Sequence, residues 1–92
     1  MTTDRTFTRP EHIHATTLDG CTVIMNLESE ATYTLNAIAS QMWAFLTEGM
    51  SERVVLNRLL QEFDVAEEQL RLDLENFVQR CCTMGLLVAS VH

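Results

Sequence analysis

The chain has 92 residues, 47% of them apolar, which is the length and composition of one small globular domain. Its formal net charge is −7 and it contains no lysine, so nucleic acids and anionic membrane surfaces are disfavoured as partners because both require a dense basic surface. No apolar run approaches the roughly 20 residues that cross a bilayer, and the polar first residues lack a signal peptide. We therefore expect a cytoplasmic protein.

Apolar and polar residues alternate in the first part of the chain, which predicts short strands. Residues 1–10 are predicted to be a flexible arm that ends at Pro10, and residues 11–92 a single domain. Turns at 18–20 and 28–31 would join three strands into an antiparallel meander with one buried face. Ile24 is then expected on the outer face. The apolar odd-numbered positions expected on the buried face are Ile13, Ala15, Cys21, Val23, Met25, Leu27, Tyr33 and Leu35.

From Asn36 onward the apolar spacing becomes helical. The first predicted helix is capped by Asn36 and runs from Ala37 to about Thr47. The second runs from the cap Ser51 to about Phe63, and the third from about Glu67 to Met84. Asp64 and Glu67 have the spacing of a capping box before the third helix, and the apolar residues 86–88 are expected to cover the core. These elements predict an α+β fold, a three-stranded antiparallel meander followed by three helices.

The last predicted strand, residues 32–35, has neither a charge nor a proline to protect it from pairing with another chain. On the third helix, Leu70, Leu74, Phe77, Cys81 and Met84 form an apolar stripe, bordered by Asp73 and Arg80. Such a stripe is typical of a core with a solvated border. Alternatively, the strand edge and this helix form a groove for an extended peptide that adds a strand to the sheet. The edge can also be covered by the arm or by a second copy of the chain.

An ordered set of short segments resembles the PqqD-like family, also called RiPP recognition elements. The segments are Leu-Asn at 35–36, MWAFLTEG at 42–49, FDV at 63–65, Asp-Leu at 73–74 with Phe77, and GLL at 85–87. The resemblance spans roughly residues 10–88. The chain departs from the family at two local positions, with Ala31 in the turn before the third strand and Ala66 before the third helix.

The resemblance implies a winged-helix-like domain that binds the leader peptide of a ribosomally made precursor and performs no chemistry itself. The enzyme partner would be a leader peptidase, as in lasso-peptide biosynthesis, or a radical SAM enzyme if the chain is of the PqqD type. A homodimer is possible. The peptide-binding residues implied by position are Thr32, Tyr33, Thr34, Leu35, Leu70, Asp73, Leu74, Phe77, Arg80 and Cys81.

Catalysis and metal binding have little support in the sequence. Cys81 and Cys82 are adjacent and form no C-x-x-C motif, so the cysteines are interpreted as small apolar residues. His12 and His14 share a strand face that is expected to be solvated, and they lack a third ligand. We therefore expect no enzyme activity, no metal and no cofactor.

Two further functions remain open. A winged-helix DNA-binding regulator would read DNA with the helix LRLDLENFVQRCC, but its phosphate contacts would have to come from six arginines spread along the chain. A structural subunit that dimerises through the open strand edge needs no peptide ligand.

Overall fold

The computed structural model describes residues 5–91, which form five strands and three helices. In chain order these are β1 (Arg5–Thr8), β2 (Ile13–Leu18), β3 (Cys21–Asn26), β4 (Thr32–Leu35), α1 (Ala37–Thr47), α2 (Glu52–Glu62), α3 (Glu67–Thr83) and β5 (Val88–Val91). Strands β2, β3 and β4 form an antiparallel sheet in that order. The predicted α+β class, a meander followed by three helices, is confirmed and is compatible with a winged-helix-like description.

The two-residue turn between β2 and β3 decides which side chains of β3 face the core. Asp19 and Gly20 both have positive φ, at 52° and 81°, as in the tight turns that suit twisted strands. A two-residue turn pairs odd-numbered with even-numbered residues, so Ala15 lies opposite Ile24, which in turn lies opposite Tyr33. Because opposite residues share a face of the sheet, Ile24 points toward the core.

The predicted orientation of β3 was therefore wrong. Ile24 is fully buried rather than on the outer face. Met25 and Leu27, which were expected in the core, are 44% and 50% exposed. Cys21 is exposed as well, and Val23 is half-buried. On β2, Ala15 was also expected on the buried face and is exposed. The prediction placed the odd-numbered residues of all three strands in the core, whereas the turn places the even-numbered residues of β3 there.

Polar side chains begin α1 and α2 at the predicted positions. The Asn36 side chain accepts a hydrogen bond from the Ala39 N–H at 2.9 Å. The Ser51 hydroxyl accepts one from the Val54 N–H at 3.4 Å. Each cap satisfies one of the backbone donors that the first turn of a helix leaves without an intrahelical partner.

Helix α3 begins without such a cap. Its N-cap residue is Ala66, and no side chain bonds the first turn, so the predicted capping box of Asp64 and Glu67 is wrong. Alanine has no acceptor to offer the free N–H groups. Glu67 and Glu68 still place negative charge in the first turn, where the helix dipole favours it.

The segment that was predicted to be a flexible arm forms a strand from Arg5 onward. β1 pairs antiparallel with β5, with Phe7 opposite Ala89, and Phe7 is 2% exposed. The Arg5 guanidinium lies 2.7 Å from a Glu52 carboxylate oxygen on α2, and this hydrogen bond raises the pKa of Arg5. Residues 1–4 of the predicted arm lie outside the described residues.

The core lies between the β2–β3–β4 sheet and the helices. Leu86 and Leu87, 1% and 2% exposed, cover it as predicted, whereas Val88, which was also expected to cover it, is 53% exposed in β5. No helix within the described part of the chain is long and apolar enough to cross a membrane. The buried apolar side chains are Phe7, Ile13, Ile24, Met42, Trp43, Phe45, Leu46, Val55, Leu59, Leu70, Leu74, Val78, Cys81, Leu86 and Leu87.

Candidate functional site

Strand β4 has a free edge, because within the described residues only β3 pairs with it. Where the two strands begin to pair, Asn26 and Ala31 are a hydrogen-bonded pair, because the Asn26 N–H donates to the Ala31 carbonyl at 2.9 Å. In an antiparallel pair, residues that bond across the pair alternate with residues that do not. Tyr33 therefore directs its backbone groups toward β3, whereas Thr32 and Thr34 direct theirs away from the sheet.

Ser40 on α1 holds the end of β4 in place. Its hydroxyl accepts a hydrogen bond from the Thr22 N–H at 2.8 Å and donates one to the Leu35 carbonyl at 3.3 Å. Ser40 and Thr22 are buried, so without this serine the Thr22 N–H would have no water to bond. The serine thus ties β3, β4 and α1 together at the point where the strand leads into the helix.

A cleft of about 440 Å³ lies between β4 and α3, and we call it the strand cleft. Every residue of β4 lines it. Phe77, Cys81 and Met84 form its opposite wall together with Leu86, and Arg80 provides a charged group. The strand cleft therefore combines outward-directed backbone groups with an apolar wall.

A depression of about 420 Å³ continues from the strand cleft and runs between α1 and α3; we call it the helix groove. Phe77 and Arg80 line both spaces and so lie at their junction. Beyond the junction, α1 contributes apolar side chains and α3 contributes polar ones. These are Ile38 and Met42 from α1, and Asp73 and Asn76 from α3.

The structure brings most of the predicted binding residues together. Those that line the strand cleft are Thr32, Tyr33, Thr34, Leu35, Phe77, Arg80 and Cys81. Asp73 lies in the helix groove. Leu70 and Leu74 are only 1% and 3% exposed and lie in the core beneath α3, so they support the wall without facing either space.

Several lining residues were not predicted. Asn36 had been recognised as a helix cap and Met84 as part of the apolar stripe, but neither as part of a site. Ile38 and Ala39 were not assigned to a site, because whether residues of α1 line it depends on how α1 packs beside α3. A search for polar and small residues next to the strand edge would have found Asn36 and Ala39.

The charged side chains of α3 differ in how they are paired. Arg71 bonds Glu68 at 2.6 Å and Glu75 at 3.3 Å, and the first of these bonds is the main cause of its raised pKa. Arg80 makes no ion pair or hydrogen bond with any other described residue. Because carboxylates neutralise Arg71, α3 does not present the basic face that a DNA-reading helix needs.

The thiol of Cys81 is suited to packing rather than to chemistry. Burial, with a smaller contribution from the adjacent Cys82, raises the pKa of Cys81 to about 12. A thiol in this state is protonated near neutral pH and is a poor nucleophile. Among the described residues, no group of three or more histidine, cysteine, aspartate or glutamate side chains is placed to hold a metal ion.

A larger cleft, of about 600 Å³, lies at the opposite edge of the sheet, beside β2 and α1. Its lining is mainly polar, with Arg9, Glu11, His14 and Glu48 among the side chains. Arg9 donates a hydrogen bond to the Ile13 carbonyl and so occupies part of the β2 edge. The lining of this cleft is more polar than that of the strand cleft, and we therefore regard the strand cleft as the candidate site although it is smaller.

Comparison with known proteins provides independent information. Residues 21–87 match the family model of coenzyme PQQ synthesis protein D (PqqD). No curated protein matches the chain. A solved complex of TbiB1 with the TbiA(beta) leader peptide is similar, with a TM-score of 0.81 and 21% identity over 87% of this chain and 93% of that one. Lasso peptide synthetase B1, complexed with the leader peptide, has a TM-score of 0.81 and 22% identity over 89% of this chain and 96% of that one. At these identities the likeness shows a shared fold.

Proposed function

We propose that this chain, which belongs to the PqqD family, binds the leader peptide of a ribosomally synthesised precursor by strand addition at β4. The observation that carries the proposal is the outward direction of the backbone groups of Thr32 and Thr34 beside the apolar wall of the strand cleft. Two solved structures with the same fold are complexes with leader peptides, which supports a peptide as the ligand.

Strand addition at β4 implies how such a peptide would lie. The N–H and C=O groups of Thr32 and Thr34 bond the peptide backbone and give it a register. Peptide side chains then alternate between the two faces of the extended sheet. Those on the same face as Tyr33 and Leu35 enter the strand cleft, where an apolar side chain packs against Phe77 and removes apolar surface from water.

The domain itself performs no reaction in this proposal. It holds the leader so that a maturation enzyme acts on the attached core peptide, whose effective concentration rises to about the millimolar range for a short linker. The enzyme is a leader peptidase if the chain serves lasso-peptide biosynthesis, or a radical SAM enzyme if it is of the PqqD type. The two similar structures, one of them a lasso peptide synthetase B1, favour the first.

The test is a fluorescence-polarisation titration with the labelled leaders of any precursor peptides encoded near this gene. We expect a Kd below about 1 μM, lost when the leader sequence is scrambled. Labelled duplex DNA serves as the comparison, and salt-sensitive binding to DNA without binding to any leader would contradict the proposal. Sedimentation at micromolar concentration completes the test, because a stable dimer that the leader does not displace would mean that a second copy covers β4.

A further inference from the structure

Two side chains of opposite charge lie on the face of α3 that lines the peptide path. Asp73 and Arg80 are seven residues apart, which is two helical turns and places them on the same side of the helix. At a rise of about 1.5 Å per residue they are separated by about 10 Å. An extended peptide covers this distance with about three residues.

The two charges lie at different points along the path. Arg80 is at the junction of the strand cleft and the helix groove, since it lines both. Asp73 lines only the helix groove, on the far side of Phe77. A peptide that leaves the edge of β4 and enters the helix groove therefore passes Arg80 first and Asp73 afterwards.

Both charged groups are available to a ligand. Arg80 is exposed and has no ion-pair or hydrogen-bond partner among the described residues. Asp73 accepts a hydrogen bond from the Gln69 side chain at 2.9 Å through Oδ1, which holds the carboxylate in place and leaves Oδ2 free. Arg71, on the same helix, is by contrast held by two glutamates and lines neither space.

We propose that Arg80 and Asp73 recognise the order in which charged side chains follow one another in the bound leader. A carboxylate of the leader pairs with Arg80, and a basic or amide side chain about three residues along the chain meets Asp73. The inference rests on the proposed function. A leader that binds in the opposite chain direction, or with the reverse order of charges, brings like charges together, so the pair selects both sequence and direction.

A double-mutant cycle tests the first contact. Arg80→Gln is combined with leaders in which each acidic residue in turn is replaced by its amide, and Kd is measured by fluorescence polarisation. We expect Arg80→Gln to weaken binding about three- to tenfold, as for an ion pair on a partly enclosed surface. One leader carboxylate should give a similar loss, with little further loss when both changes are combined.

Charge exchange tests specificity and direction. Arg80→Glu should weaken the native leader more than Arg80→Gln does, and a leader with lysine at the coupled position should recover the loss. Asp73→Asn should couple in the same way to a leader position about three residues from the first. The matched control is Arg71→Gln, the same change on the same helix outside the peptide path, which should leave Kd within about twofold.

The outcomes separate this inference from the proposed function. Tight leader binding that responds to Arg80→Gln and Asp73→Asn no more than to Arg71→Gln overturns the charge reading and leaves leader binding intact. Coupling of both positions to leader charges in the wrong order or spacing also overturns it. If the unaltered protein binds no leader, the proposed function fails, and this inference fails with it.

Discussion

Replacing Thr34 by proline removes one outward N–H from the edge of β4. Because residues of β4 point their backbone groups alternately toward and away from β3, the Thr34 N–H points away from β3. The substitution therefore deletes no hydrogen bond within the sheet. Proline is tolerated at such edge positions, and it favours extended backbone in the residue before it. We expect the free energy of unfolding to fall by about 1 kcal/mol at most, which a urea titration measures.

The effect on leader binding should be much larger. One backbone hydrogen bond is worth about 1 kcal/mol, and the leader carbonyl that is left without a donor beside the apolar wall costs about 1 kcal/mol more. Together these raise Kd about thirtyfold. Fluorescence polarisation with the labelled leader measures the change.

Two other substitutions, one at Thr34 and one at the adjacent Tyr33, serve as controls. Thr34→Ala keeps the N–H and removes only an exposed side chain, so Kd should stay within about twofold. Tyr33→Pro removes an N–H that faces β3 and should instead cost about 3 kcal/mol of stability. A folded Thr34→Pro variant that binds the leader as tightly as Thr34→Ala would refute strand addition in this register.

Ser40→Ala should lower the free energy of unfolding by about 1–3 kcal/mol in urea, because it leaves the buried Thr22 N–H without a partner. Phe77→Ala should weaken leader binding while costing roughly 2 kcal/mol of stability, less than a fully buried phenylalanine because Phe77 is half-buried; Phe77→Leu should recover most of both. Iodoacetamide at pH 8 should label exposed Cys21 quickly and Cys81 only after unfolding, as mass spectrometry can show, and equal labelling rates would contradict the burial. Since burial raises the pKa of Cys81 from its ordinary value of 9.0 to about 12, only the unfolded chain loses this proton between about pH 9 and 12, and stability should fall over that range.

Local signals were sufficient for most of the elements. The 3.6-residue spacing and the Asn36 cap predicted the bounds of α1, which the structure confirms. The faces of β3 were misassigned because both sides of this strand carry apolar side chains, so alternation alone did not distinguish them. The Asp19–Gly20 turn would have distinguished them, since a two-residue connection pairs odd-numbered residues of β2 with even-numbered residues of β3 on the same face.

Non-local pairing explains what the sequence did not reveal. β1 pairs with β5, whose residues lie 80 to 86 positions later in the chain, and four mostly polar residues have no pattern that predicts such a partner. The same limit applies to the site. The apolar stripe of α3 was visible, but only the placement of α1 and β4 beside it separates cleft-lining Phe77 from buried Leu70 and Leu74.

The central claim is that the leader adds a strand to the free edge of β4. Amide-resolved hydrogen exchange by NMR tests it most directly, because the free protein has outward N–H groups at Thr32 and Thr34 and an inward one at Tyr33. With saturating leader, the account predicts strong slowing of exchange at Thr32 and Thr34 and a smaller change at Tyr33. Tight leader binding that leaves exchange at Thr32 and Thr34 unchanged would contradict it.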